Sequence, residues 1–159
     1  MEVEGIYVVL ATIGTPGRYH WGVYFKLGAS MGLVSHAIHP EGSIDSTEWV
    51  LEQRTLKTLE ISVSLVLALK IGSLKASRYI SYQRALADPE LMRESGPEEE
   101  EFTCRVWVLR ALEALNSTSY IRCAEPRKVE VEAIEQADQA YGEYVGVGGC
   151  FIKISQYSS

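Results

Sequence analysis

The fold is decided by residues 19–38, whose sequence is YHWGVYFKLGASMGLVSHAI. Two apolar segments, residues 19–27 and 31–38, flank a short connection that begins at Gly28, and this pattern predicts a hairpin of two strands. In such a hairpin, His20 on the first strand and His36 on the second can reach one end or face of the same sheet. The segment therefore predicts a sheet that carries two neighbouring imidazoles.

Outward from this hairpin, the chain divides into a β-rich first half and a helical second half. The alternation of apolar residues predicts further strands, and apolar residues at helical spacing predict helices. The run from 61 to 71 suits either a strand or a buried helix. We predict strands at 6–10, 47–56 and 150–154, helices at 77–86, 102–115 and 129–144, and a break at Gly146, Gly148 and Gly149.

The helix predicted at 102–115 carries Cys104 close to its start. If Thr103 is the N-cap, Cys104 is the first helical residue, and the helix dipole then lowers the pKa of its thiol. If Ser95 and Glu98 form a capping box, the helix begins earlier and this activation weakens. The mutual repulsion of the glutamates at 98–101 favours the later start and makes that segment a solvated lead-in.

The amino-acid composition limits the classes of protein to which the chain can belong. The chain has 159 residues, 47% hydrophobic and 23% charged, which is typical of a single globular domain over 1–159. Its net charge of −6 argues against nucleic-acid binding, which needs clustered Lys and Arg. Three cysteines, an odd count, favour a reducing, cytoplasmic location without a disulfide framework. The longest apolar run is too short for a transmembrane anchor, and no glycine-rich segment matches a cofactor motif, so we expect neither anchor nor cofactor.

Cys104, His20 and His36 are the residues that can carry chemistry together. A thiol needs a base to become a thiolate, and the base needs an orienting partner. Two other interpretations stay open. Cys104 lies on the apolar face of its helix and can be an inert core residue. The two histidines can also bind a metal, with Asp45 or Glu41 as a further ligand.

Three short motifs resemble the permuted branch of the NlpC-type, papain-like thiol enzymes, to which the lecithin:retinol acyltransferase-like proteins belong. They are HWGVY at 20–24, LVSH at 33–36 and TCRVWV at 103–108. That branch has a His-Trp-Ala-Ile-Tyr strand, a histidine on the next strand and a late Asn-Cys helix. The chain is also similar to a group of small fungal proteins with a Trp-containing strand, matched by Trp49, and a Leu-Glu-Ala-Leu segment, matched at 112–115.

The resemblance covers residues 5–116 and leaves 120–159 without an interpretation. It implies an α+β, papain-like fold, in which an antiparallel sheet of about four to six strands packs on the helix of the cysteine. It also implies Cys104 as nucleophile, His20 as base and His36 as the residue that orients His20, although His39 is an alternative orienting residue. Thr103 stands where the family has Asn.

The function that we expect is cysteine-dependent acyl transfer on an amide, ester or thioester, by a hydrolase or an acyltransferase. The substrate is a small molecule or a peptide, and the candidate substrate-binding residues are Trp21, Tyr24, Thr103 and Trp107. One alternative is a cyclase or isomerase of a natural-product pathway that uses the same pocket for acid–base chemistry. Another is an inactive interaction module, in which Trp107 or Phe102 would fill the cleft at Cys104.

Overall fold

The computed structural model describes residues 1–40, 48–57, 59, 62–144 and 150–159. The chain folds into an α+β structure in which helices pack on a six-stranded sheet. The strands are β1 (Gly5–Thr12), β2 (Tyr19–Gly28), β3 (Met31–Ile38), β4 (Val50–Lys57), β5 (Leu65–Ser73) and β6 (Phe151–Ile154). The helices are α1 (Tyr79–Leu86), α2 (Cys104–Ser117) and α3 (Pro126–Tyr144), with 3₁₀ turns at Ala76–Arg78 and Pro89–Met92.

The strand order across the sheet is β4-β3-β2-β1-β5-β6. The predicted β2–β3 hairpin is confirmed, and the pairs from β4 to β5 are antiparallel. The expectation of a wholly antiparallel sheet is wrong at one edge, where β6 pairs parallel to β5. The chain passes through all three helices between these two strands, and such a long crossover permits parallel pairing.

The ambiguous run at 61–71 forms strand β5, over residues 65–73. This strand lies between β1 and β6, and side chains on both of its faces are buried, among them Leu65, Val66 and Leu67. A strand that is covered on both faces has a nearly continuous apolar sequence, which periodicity alone does not separate from a buried helix. Residues 58, 60 and 61 lie outside the described part of the chain.

The main core lies between the sheet and the helices. It joins Val23 and Phe25 of β2 to Trp107 and Leu112 of α2. Successive side chains of a strand point to opposite faces, so the alternate residues of the same strands form a smaller cluster on the other face. That second cluster contains Tyr7, Val9, Tyr24, Val34, Leu65 and Ala68.

Helix α2 begins at Cys104, as the later of the two predicted starts requires. Thr103 is the N-cap, with extended backbone (φ −148°), and its hydroxyl accepts a hydrogen bond of 3.3 Å from the backbone N–H of Val106. The alternative start, with a capping box formed by Ser95 and Glu98, is wrong. In this segment it is the carboxylate of Glu99 that accepts a hydrogen bond, of 3.1 Å, from the backbone N–H of Gly96.

The ends of the other helices differ from the predictions by one turn or less. The predicted helix at 77–86 begins as a 3₁₀ turn and becomes α-helical at Tyr79. Helix α3 begins at Pro126 rather than at residue 129, since proline is favoured in the first turn, where its missing N–H costs no hydrogen bond.

No helix in the described ranges is long and apolar enough to cross a membrane. The predicted break at Gly146, Gly148 and Gly149, like residue 47 of the predicted fourth strand, lies outside the described residues.

We expect Thr103→Ala to lower the free energy of unfolding by about 1 kcal/mol, because the N–H of Val106 loses its acceptor. Thr103→Ser keeps a hydroxyl at the cap and should lose much less. Urea unfolding of the wild type and both variants measures this. Equal losses in the two variants would show that the methyl group, rather than the cap, carries the stability.

Candidate functional site

Two histidines and a glutamate form a continuous hydrogen-bonded chain across β2, β3 and β4. Nε2 of His20 lies 2.6 Å from Nδ1 of His36. Nε2 of His36 lies 2.6 Å from Oε2 of Glu52. The sequence predicted that His20 and His36 would come together, and the structure places them in direct contact. Glu52 was missed by sequence reasoning.

The strand register produces this contact. His36 on β3 is directly opposite Glu52 on β4. The paired register of β2 with β3 ends at Val23 and Ser35, so His20 and His36 lie just beyond the last pair. Gly22 allows the approach there, because a Cβ at this position would lie 3.3 Å from Cβ of His36.

The carboxylate of Glu52 fixes where each proton of the chain lies. An ionised carboxylate only accepts hydrogen bonds, so Nε2 of His36 must carry a hydrogen. Nδ1 of a neutral His36 is then an acceptor, which requires Nε2 of His20 to be the donor. Nδ1 of a neutral His20 is left with a free lone pair. When both rings are neutral, the hydrogen-bonded chain therefore presents one basic nitrogen, Nδ1 of His20.

Arg54 holds the outer end of this chain. Its Nε lies 3.2 Å from Oε2 of Glu52, the same oxygen that accepts from His36. Glu52 is one-third exposed, whereas the side chain of His36 is 12% exposed. The hydrogen-bonded chain of side chains thus runs from the surface, at Arg54, inward to His20.

Cys104 stands at the N-terminus of α2, and its half-buried thiol interacts with backbone N–H groups of Trp21, Arg105 and its own residue. Trp21 follows His20 directly on β2. Cys104 and His20 line one open cavity of about 600 Å³. Among the hydrogen bonds of the described residues, none joins Sγ of Cys104 to an imidazole nitrogen.

Burial keeps both the thiol and the base neutral. Burial raises the pKa of the Cys104 thiol above its usual value, and the neighbouring backbone N–H groups oppose this only in part. This corrects the expectation that the helix terminus lowers the thiol pKa, because desolvation outweighs it. Burial and, secondarily, the charge of His36 lower the pKa of His20 to about 4, against the opposing effect of Glu52. Near neutral pH, His20 is therefore an unprotonated base.

An ion-pair network anchors the start of α2. Arg105, the residue after Cys104, contacts the carboxylates of Glu100 and Glu130. Arg127 bridges the same two carboxylates, at 2.8 Å to Glu100 and 2.9 Å to Glu130. The glutamate run is exposed, as the sequence predicted, and Glu100 in addition ties the lead-in segment to α2 and α3 through these ion pairs.

The predicted substrate-binding residues separate into two groups. Trp21 and Thr103 line the cavity beside Cys104. Tyr24 and Trp107 are fully buried, Tyr24 in the cluster on the opposite face and Trp107 in the main core. They are core residues because α2 turns its apolar face to the sheet and Tyr24 belongs to the other face of β2.

His39 lies in the cavity wall and is not the partner of His20. Its ring stacks on Trp49, with ring centroids 3.9 Å apart, and its Nδ1 lies 3.1 Å from the carbonyl oxygen of Glu48. The structure thus places His36, not His39, in contact with His20. Phe102 packs edge-on against Trp49, and neither it nor Trp107 fills the cavity at Cys104.

The metal alternative depended on Glu41 and Asp45, and both lie outside the described residues. Within the described ranges, no group of three or more His, Cys, Asp and Glu side chains is arranged to hold a metal ion. All three cysteines are free thiols.

Comparison of the chain with protein-family models, with curated proteins and with solved structures gives no match.

The proton arrangement can be read directly by nitrogen NMR of the imidazoles. We expect the wild type at neutral pH to show His20 protonated at Nε2 and unprotonated at Nδ1. Glu52→Ala removes the acceptor that fixes His36, so both rings should become mixtures of tautomers. Glu52→Gln is the control, since its amide oxygen can still accept from His36. Unchanged tautomers in Glu52→Ala would show that something other than Glu52 sets them.

His20 also makes stability depend on pH. Its pKa is about 4 in the folded protein against 6.5 ordinarily, so between these values the unfolded chain binds the extra proton. The stabilisation is complete above the higher value and is lost as the pH falls toward the lower one, by at most about 3 kcal/mol. Urea unfolding across that interval should show a shallower pH dependence for His20→Gln than for the wild type. Equal slopes in both proteins would assign the dependence to another group.

Proposed function

We propose that this protein is a cysteine-dependent acyl-transfer enzyme of the permuted NlpC-type, papain-like class, with Cys104 as nucleophile and His20 as general base. The observation that carries the proposal is that His20, the inner end of the hydrogen-bonded chain from Glu52 through His36, lines the same cavity as Cys104. A nucleophile, a base and an orienting partner are the groups that thiol chemistry needs.

In the proposed first step, Nδ1 of His20 takes the proton of the Cys104 thiol while Sγ attacks the carbonyl carbon of an amide, ester or thioester. The resting groups are neutral, so this transfer accompanies the attack. It requires Sγ to come within hydrogen-bond reach of His20, and catalytic hydrogen bonds commonly tighten only when substrate binds. The imidazolium that forms is stabilised by Glu52 through His36.

The tetrahedral intermediate carries a negative oxygen. The backbone N–H groups of Cys104 and Trp21, which lie against the resting thiol, are the proposed donors to it. The intermediate collapses as the leaving group departs with the proton from His20, and a thioester remains on Cys104. Water or another acceptor then gives a proton to His20 and attacks the thioester carbonyl, and Sγ of Cys104 departs with the proton returned from His20.

The cavity around Cys104 is open, which acyl chemistry needs and which an interaction module with a filled cleft would lack. Its walls include Trp21, Trp49 and His39, so the preferred acyl group is one that stacks on flat rings. Thr103, in the place of the family's Asn, supplies a hydroxyl that is engaged at the helix cap. Thr103 therefore has a structural role in this proposal, and backbone N–H groups stabilise the oxyanion.

A trapping experiment with p-nitrophenyl acetate tests the proposal. We expect a stoichiometric burst of p-nitrophenol and one added acetyl group on the peptide that contains Cys104. Cys104→Ser should abolish the burst with little change in stability, and His20→Ala should slow acylation by about 10²–10⁴-fold. The matched control is Cys150→Ser, which removes another half-buried thiol and should leave the burst unchanged.

Two results would contradict this function. A burst that persists in Cys104→Ser excludes that thiol as nucleophile. Turnover of an identified substrate that survives Cys104→Ala but not His20→Ala would instead establish acid–base chemistry by the imidazoles, as in the cyclase or isomerase alternative.

A further inference from the structure

A second cavity, of about 330 Å³, lies on the face of the sheet opposite to α2. His20 and His36 are in its wall, and Cys104 is not among the residues that line it. Its apolar floor comes from β1, β3 and β5, through Val9, Val34 and Leu65. Its volume is within the usual range for small-molecule sites, about 300–1,000 Å³.

Small residues keep this cavity open next to the imidazoles. Ala11 on β1 is directly opposite His20 on β2, so its methyl group is all that occupies that position. Gly22, two residues after His20, presents only backbone on the same face. A larger side chain at residue 11 would therefore fill the space that the cavity now offers.

The charged side chains among the described residues that line the cavity belong to Arg54, Lys57 and two histidines, and the first two are cations. Arg54 and Lys57, near the end of β4, stand at its rim, and Ser62 and Ser64 also line it. No acidic side chain is among the described residues that line it. Arg54 contacts Glu52 through Nε, which uses one of the five N–H donors of a guanidinium. The remaining donors are suited to a carboxylate or a similar anion.

We propose that this second cavity binds a small organic anion with an apolar body. The body lies on the floor formed by Val9, Val34 and Leu65, and the anionic group lies between Arg54 and Lys57. This site goes beyond the proposed acyl transfer and does not need Cys104.

Calorimetric titration with phenylpropionate and its uncharged analogue phenylpropanol tests the site. We expect saturable one-to-one binding of phenylpropionate to the wild type, at least about tenfold tighter than that of phenylpropanol. Lys57→Gln should reduce this preference, because it removes a cation from the rim and leaves the Arg54–Glu52 contact in place. Cys104→Ser should bind as the wild type does, which separates this site from the proposed acyl chemistry.

Filling the cavity supplies the decisive comparison. Ala11→Leu should abolish binding of both compounds, whereas Ala29→Leu, at an exposed alanine in the β2–β3 turn, should bind normally. If Ala11→Leu does not fold, Ser64→Leu fills the cavity from the opposite wall. Three results would overturn the proposal: no saturable binding to the wild type, undiminished binding to the folded filled variant, or equal affinities for the acid and the alcohol.

Discussion

The hydrogen bond from His36 to the carboxylate of Glu52 is the constraint on which the site depends. A carboxylate accepts and does not donate, so this single contact fixes a proton on Nε2 of His36 and, when that ring is neutral, a proton on Nε2 of His20 as well. The result is a base whose free lone pair is determined from two strands away. A histidine pair without the glutamate would have two equivalent arrangements, of which only one leaves Nδ1 of His20 free.

The sheet brings these groups together, and its local pattern could be predicted from the sequence. The hairpin of β2 and β3 follows from apolar segments around Gly28, and it already places His20 near His36. Glu52 could not be found in this way, because its role depends on the register of β3 with β4. Residues 39–49 separate these strands in the sequence, and a connection of that length does not determine the register as a two-residue turn does.

The extent to which the Cys104 thiol is buried could not be predicted from the sequence. The start of α2 at Cys104 was predictable from Thr103, since a side-chain cap is a local interaction. The rise in the thiol pKa was not, because it depends on how much water the folded chain excludes from the cavity. The parallel pairing of β6 with β5 also depends on contacts distant in the sequence. Residues 120–159, which the motifs left without an interpretation, supply α3 and the last strand of the sheet.

His20 lies in the walls of both cavities, one on each face of the sheet. One residue therefore contributes to two separate cavities. By thermodynamic linkage, anything that changes the protonation of His20 from one compartment changes the binding of charged groups in the other by an equal and reciprocal factor. In this arrangement the two cavities are linked through the charge of one side chain.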